Sequence, residues 1–300
     1  MEYFLELFLG GLIKGSIYAL IALGYTMVYG IIELINFAHG EIYMIGAFVA
    51  LIVSTVLTIL GFHYIAVLFI TFASAVIYAS AYGYTVEKIA YQPLRNAPRL
   101  SPLISAIGMS VFLQNYVKLA QSSNFIPFPN LIPKFEFMEP YSHIISSAEL
   151  LILISTALIM VGLTVLIKYT NIGKAMRATA QDKTMALLLG INVNNIISFT
   201  FVLGSALAAI GGVLVASQMG QINFYIGFIA GIKAFTAAVL GGIGSIPGAV
   251  LGALILGWTE SFATGYISSD YEDVFAFSLL VIILIFKPAG LLGKNTTQKV

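Results

Sequence analysis

The sequence predicts an all-α integral membrane protein with about eight or nine transmembrane helices. Of its 300 residues, 59% are hydrophobic and 9% are charged, whereas a soluble domain carries about 25% charged residues. The apolar residues form long runs, and a bilayer core about 30 Å thick requires roughly 20 such residues in a helix. The alternating pattern of a membrane barrel is absent. We therefore expect one transmembrane domain over residues 1–300.

The apolar runs and the charges between them place the individual spans. The spans are expected at residues 9–32, 41–60, 63–87, 101–119, 148–168, 196–217, 226–241, 247–266 and 273–287. The seventh is short and contains Lys233, so a broken or re-entrant segment is an open alternative there. The interruption from Asn36 to Gly40 is compatible with a hidden half-helix, which leaves the side of the N-terminus open.

Basic residues cluster at three places, and Lys and Arg near the ends of spans stay in the cytoplasm. The clusters are Lys88, Arg95 and Arg99; Lys168, Lys174, Arg177 and Lys183; and Lys287, Lys294 and Lys299. Segments 124–149 and 266–273 are mainly acidic instead. The pattern predicts an external loop at 120–147, which contains Pro127, Pro129, Pro133 and Pro140, and a cytoplasmic segment at 171–194.

Enzymatic and metal-binding motifs are missing from the sequence. There is no cysteine, which excludes disulfides and cysteine-ligated metals. His39, His63 and His143 lack the spacing of a zinc motif, and the glycine-rich run 241–248 lacks the Gly-Lys-Ser/Thr ending of a phosphate loop. The net charge of +1 gives no support for nucleic-acid binding. We expect a chain that is not an enzyme and holds no cofactor or metal.

Small residues recur at every fourth position in two of the expected spans. Because lipid tails are as apolar as leucine, membrane helices associate where small side chains allow close backbone approach. One stripe is Gly204, Ala208, Gly212, Ala216 and Gly220, and the other is Gly244, Gly248 and Gly252. Pro247 is expected to mark a helix start. These stripes predict helix packing and carry no information about function.

Charged residues inside the spans require a structural or functional explanation, because inserting each one into the membrane costs about 2.5 to 3.5 kcal/mol of free energy. Lys14 is close enough to a helix end to reach the interface through its long stem. Asn36, His39 and Glu41 either cap broken helix ends or line a substrate path or gate. Lys233 and Glu260 either pair across helices or face a water-filled cavity, and the sequence does not choose between these alternatives.

The cytoplasmic segment 171–194 is too long for a simple turn. It has apolar positions and a polar face, and Gly190 follows as a helix C-cap would. The pattern predicts a short amphipathic helix, which docks into a protein groove or lies on the lipid surface. Its apolar residues are few and small, which favours the groove.

Four segments resemble the LivH-type permease subunit of branched-chain amino acid ABC importers, and the likeness covers nearly the whole chain. They are Gly15–Phe48, Ile104–Val117, Asp182–Asn192 and Gly231–Gly257. The resemblance implies the type II importer fold, an inner-membrane location and the import of Leu, Ile and Val. It also implies partners: a homologous second permease, two ATP-binding subunits that hold ATP and magnesium, and an extracytoplasmic binding protein.

The resemblance further implies that Gly173–Ile191 is the coupling segment that contacts an ATPase subunit. The candidate coupling residues are Gly173, Lys174, Arg177, Ala178, Asp182, Leu189, Gly190 and Ile191. Gln181 departs from the family pattern, where an acidic residue is expected. A stand-alone ion-coupled secondary transporter is the alternative, with Glu41, Lys233 and Glu260 as its available coupling-ion ligands.

Overall fold

A computed structural model describes residues 2–95, 97–98, 100–132 and 145–293, and eleven α-helices form in these ranges. They are α1 Glu2–Ile32, α2 His39–Ile59, α3 Tyr64–Val86, α4 Leu100–Ala120, α5 Ser147–Tyr169, α6 Asn171–Gln181, α7 Lys183–Leu188, α8 Val193–Met219, α9 Ile226–Gly241, α10 Ile246–Tyr266 and α11 Glu272–Phe286. A π-helical turn, Glu87–Tyr91, continues α3. Two short strands, β1 Ile126–Pro127 and β2 Gln221–Ile222, pair antiparallel.

The all-α membrane fold is confirmed. Seven of the described helices are long and apolar enough to cross a membrane. The predicted count of eight or nine is approximate, because α9 has 16 residues and α11 has 15. At 1.5 Å per residue, α9 is about 24 Å long, which is shorter than the hydrocarbon core. Part of the predicted external loop, residues 133–144, lies outside the described residues, and so do Arg99, Lys294 and Lys299 of the predicted basic clusters.

Helix α1 is longer than predicted because α10 supports its first two turns. The ring of Phe4 stacks on Phe262 at 5.5 Å, and the ring of Phe8 stacks on Trp258 at 5.2 Å. The hydroxyl of Tyr3 donates to the carbonyl of Gly265, 2.7 Å away. The two helices are therefore antiparallel, and the N-terminus lies on the same face as the acidic segment 266–273. If segment 266–273 is external, as its acidic residues predict, the N-terminus is external as well.

The small-residue stripe of α8 lies against two other helices. A Cβ on Gly212 would overlap the carbonyl of Tyr43 in α2, and a Cβ on Gly204 would lie 3.4 Å from the carbonyl of Gly24 in α1. Ala208 and Ala216 are also buried. Close approach of α8 to α1 and α2 therefore depends on these small side chains. Gly220 ends α8 with a left-handed φ of 67° instead of extending the stripe.

The second stripe packs α10 against α9, with one correction. Cβ atoms on Gly248 or Gly252 would approach the backbone of Gly241 in α9. Gly244 is not part of the helix, because α10 begins at Ile246 with a proline in its first turn. Gly244 instead has a φ of 91° in the α9–α10 turn, a conformation that glycine adopts without strain. The glycine is needed there for the turn.

The chain between α1 and α2 is not helical, and it delivers α2 into the interior of the bundle. Glu33 turns the chain with a φ of 58°. The side-chain oxygen of Asn36 accepts from the backbone N–H of Ala38 at 3.1 Å, and its carbonyl accepts from His39 N at 3.0 Å. His39 and Glu41, in the first turn of α2, are buried. Such a break is tolerated at membrane depth because surrounding protein covers it.

Candidate translocation site

The carboxylate of Glu41 lies at the start of α2 with no solvent exposure. Its Oε1 atom accepts a hydrogen bond from Ser110 Oγ of α4 at 3.0 Å. Its Oε2 atom has no hydrogen-bond partner among the described residues. The N-terminal end of a helix favours a negative charge, so α2 partly stabilises the carboxylate. One of its two oxygens is nevertheless left unsatisfied.

A small cavity lies next to this carboxylate, between α4 and α9. Its volume is about 70 Å³, and its walls include Tyr25, Ser110, Gly227 and Phe235. Ser110 and Gly227 are both in contact range of the Glu41 carboxylate, because a Cβ on Gly227 would lie 2.9 Å from Oε2. The carboxylate is thus placed directly behind one wall of the cavity.

Three glycines let α2 and α9 meet beside the cavity. A Cβ on Gly40 would overlap the carbonyl of Gly227, and a Cβ on Gly231 would lie 3.1 Å from the Cα of Gly40. Gly227 and Gly231 are four residues apart, which is the small-residue spacing of helix packing. The spacing of these two glycines is visible in the sequence and would have predicted this contact.

Asn36 and His39 hold the break, and neither lines the cavity. The hydroxyl of Tyr91, in the π-helical turn, lies 3.0 Å from the carbonyl of Ile35 and 3.2 Å from the Asn36 side-chain oxygen. The His39 ring packs on Tyr25 with centroids 4.7 Å apart. Of the predicted path residues in this segment, Glu41 alone reaches the cavity wall.

Lys233 is the centre of an ion cluster at the end of the bundle that carries the acidic segment 266–273. Its Nζ atom lies 3.2 Å from Glu260 Oε1, 2.8 Å from Glu272 Oε1 and 3.0 Å from Asp273 Oδ1. The hydroxyl of Tyr18 donates to Glu260 Oε2 at 2.6 Å. Lys233 therefore ties α9 to α10 and α11. Glu272, Asp273 and Tyr18 were not anticipated from the sequence.

Lys14 joins the same cluster. Its Nζ atom lies 3.3 Å from Glu272 Oε2, so the lysine has an acidic partner within the protein. No residue of the cluster lines the cavity beside Glu41. Lys233 and Glu260 are thus found at a different place from Glu41, and the geometry shows the paired alternative for them.

The predicted cytoplasmic helix consists of two helices, α6 and α7. Thr170 caps α6 by accepting from Gly173 N at 3.0 Å, and Asp182 caps α7 by accepting from Met185 N at 3.0 Å. The extended backbone of Asp182 separates the helices. The prediction of a single helix was therefore wrong, because an aspartate in the middle of the segment favours capping a new helix over continuing the first one. Gly190 follows α7 with a left-handed φ of 80°.

The candidate coupling residues divide into two groups. Some hold the shape of the segment: a Cβ on Gly173 would overlap the end of α5, and Arg177 donates to the carbonyl of Ile167. Ala178 and Ile191 are half-buried. The second group, Lys174 and Leu189, is exposed.

The apolar surface of the coupling segment is larger than predicted. It consists of Met185, Leu187, Leu188 and Leu189, whose side chains are 59%, 60%, 78% and 77% exposed.

Polar contacts link the coupling segment to the helices around the break. Lys183 Nζ lies 3.5 Å from the carbonyl of Ile32 at the end of α1. Arg95 bonds both Asn194, at the start of α8, and Glu87, and Ser198 Oγ donates to Glu87 Oε2 at 2.8 Å. Glu87, predicted only as the end of a span, is therefore a fully buried link in this network.

Comparison with known proteins gives full-length matches. A family described as "Branched-chain amino acid transport system / permease component" matches residues 7–284. The high-affinity branched-chain amino acid transport system permease protein BraD of Pseudomonas aeruginosa is 53% identical over 99% of this chain and 98% of its own. The corresponding protein LivH of Escherichia coli is 50% identical over the same shares.

A more distant relative also aligns along most of its length. A probable branched-chain amino acid transport permease protein LivH of Methanocaldococcus jannaschii is 27% identical over 95% of this chain and 91% of its own. The fold, the long apolar helices and these alignments agree. The chain is a multi-pass membrane protein that belongs to the family of permease components of branched-chain amino acid transport systems.

Proposed function

We propose that this chain is the membrane-spanning permease subunit of an ATP-driven importer of branched-chain amino acids. In the complete transporter it pairs with a homologous permease, binds ATPase subunits at its cytoplasmic face and receives its substrate from an extracytoplasmic binding protein. ATP and magnesium are held by the ATPase subunits. Full-length similarity to branched-chain amino acid permeases supports this proposal.

The single structural observation that carries the proposal is the apolar surface of α7. Met185, Leu187, Leu188 and Leu189 are exposed, and they follow the basic residues Lys174, Arg177 and Lys183, which predict a cytoplasmic segment. Exposed apolar side chains clustered on a short helix mark an interaction surface. An ATPase groove would bury them, and nucleotide-driven movement of that groove would reach the bundle through Lys183 and Asn194.

The same surface distinguishes this proposal from a stand-alone transporter. A secondary transporter needs ion ligands at the membrane midplane. Two of its three available ligands, Lys233 and Glu260, are already bonded to each other. An ion-coupled mechanism also gives no role to a projecting apolar helix in the cytoplasm.

Reconstitution tests the proposal directly. The chain is incorporated into proteoliposomes with its homologous permease and ATPase subunits, and radiolabelled leucine is supplied outside with the binding protein. We expect leucine to accumulate only when ATP is present at the ATPase side. Accumulation by this chain alone, driven by a proton or sodium gradient without ATP, would show that the proposal is wrong.

A further inference from the structure

Three carboxylates in the described bundle have no solvent exposure: Glu41, Glu87 and Glu260. Glu87 is paired with Arg95 and Lys88, and Glu260 with Lys233. Glu41 differs, because no Lys or Arg of the described residues lies within 4.0 Å of it. Buried charges in membranes are costly and are normally paired. Glu41 therefore lacks a basic partner of the kind that Glu87 and Glu260 have.

The unpaired oxygen lies close to a residue of the cavity wall. Oε2 has no hydrogen-bond partner among the described residues, and a Cβ on Gly227, which lines the cavity, would lie 2.9 Å from it. Ser110, which bonds the other oxygen, also lines the cavity. The carboxylate therefore contacts residues of both helices that form the cavity, Ser110 of α4 and Gly227 of α9.

The remaining walls suit an apolar group that is attached to a cation. Tyr25, Phe37 and Phe235 present aromatic rings to the cavity, and such rings accept aliphatic side chains and also attract ammonium groups. The described walls contain no basic residue that would bind an anion. The site thus fits a primary ammonium with an aliphatic side chain, and it disfavours an acid that lacks the amine.

We propose that the carboxylate of Glu41 binds the α-ammonium group of the amino acid during its passage, in the cavity between α4 and α9. This inference rests on the proposed function, since it takes the transported substrate as the missing cation. A volume of about 70 Å³ is well below the roughly 300 to 1,000 Å³ of ordinary ligand pockets. The structure therefore shows the closed form of the site, which an amino acid enters only when α4 and α9 move apart.

Glu41→Gln is the first test, measured in proteoliposomes that contain the complete transporter. The substitution keeps the shape of the side chain and removes a costly buried charge, so insertion is not impaired. We expect the leucine transported per ATP hydrolysed to fall at least tenfold. Glu41→Asp, which keeps the charge on a shorter side chain, should recover part of the loss. An unchanged ratio in Glu41→Gln would overturn the assignment.

A thiol-protection experiment separates ligand binding from a structural role. Because the chain contains no cysteine, Ser110→Cys introduces its only thiol, at the cavity wall. Modification by a small methanethiosulfonate reagent that carries an ammonium group is followed as a mass increase of this chain during ATP turnover. We expect leucine to slow the modification at least threefold. Thr71→Cys, at a buried site in α3, is the control and should stay unmodified.

The decisive comparison is the double variant Glu41→Gln with Ser110→Cys. We expect leucine to give no protection there. Equal protection with and without the carboxylate would overturn the proposal, and so would a parallel loss of leucine transport and ATP hydrolysis in Glu41→Gln. Failure of the wild-type complex to accumulate leucine with ATP is a separate result, which would contradict the proposed function itself.

Discussion

The Nζ atom of Lys233 in α9 lies 2.8 Å from Oε1 of Glu272 at the start of α11. Since Glu260 and Asp273 also lie within 3.2 Å of the same Nζ atom, one lysine forms ion pairs with acidic groups from two helices. The short helix α9 is thereby fixed against α10 and α11.

Replacement of Lys233 by Met should strongly destabilise the protein. It leaves the carboxylate of Glu260 buried without a cation, and breaking a buried pair in this way costs about 3 to 5 kcal/mol. We expect a lower midpoint of thermal unfolding in detergent, followed by size-exclusion chromatography of heated samples. The double variant Lys233→Met with Glu260→Gln should regain much of the loss. A midpoint equal to that of the wild type would contradict this role of Lys233.

Gly212→Ala should weaken the packing of α8 on α2. The added methyl group overlaps the carbonyl of Tyr43, and overpacking typically costs about 1 to 3 kcal/mol. The control is Gly108→Ala in α4, where a Cβ meets nothing within 4 Å and alanine improves helix propensity. Thermal unfolding should separate the two variants, with Gly212→Ala below the wild type and Gly108→Ala at or above it.

Glu residues in place of Leu188 and Leu189 should release the ATPase subunits from the membrane protein. The substitutions put charges on the apolar surface of α7, and their desolvation opposes docking in a groove. Co-purification of the ATPase measures the effect, and we expect at least a tenfold loss. Asn171→Glu adds a charge to the first turn of α6, where the helix dipole favours it, and should leave co-purification intact. Unchanged co-purification of the ATPase with the Leu188 and Leu189 double variant would show that α7 is not the docking surface.

Tyr91→Phe should loosen the break between α1 and α2. The lost hydroxyl bonds the carbonyl of Ile35 and the side chain of Asn36, and a hydrogen bond of this kind contributes about 1 kcal/mol. Hydrogen exchange of peptides that cover residues 33–41 should become about fivefold faster. Peptides from α10 report on global stability and should exchange as in the wild type. Unchanged exchange in the break would show that Tyr91 does not hold it.

The hydrophobic runs predicted the helices well, because length and apolarity are enough to define a span. The start of α1 and the division between α6 and α7 were harder to predict, since they depend on Phe4 stacking on α10 and on the cap that Asp182 forms. The fold could therefore be predicted in outline, and local contacts across helices decided the boundaries.

The candidate site was only partly predictable. A glutamate in the Asn36–Glu41 segment was visible in the sequence, and its cost in a membrane pointed to a special role. Its neighbours Ser110 and Gly227 are 69 and 186 positions away, and no local pattern connects residues so distant in the chain. The ion cluster around Lys233 was also predicted only in part. Its partner Glu260 was a candidate in the sequence, whereas Glu272 was assigned to an external segment and not to the cluster.

The antiparallel contact of α1 with α10 also affects how the protein is made. Gly15 packs against Leu254, and about 240 residues separate them. At ribosomal rates of 5 to 20 residues per second, the first helix waits roughly 12 to 50 s in the lipid for its main partner. During that interval the glycine face of α1 is not yet covered by α10, so correct folding of this protein requires α1 to persist in the lipid until α10 is inserted.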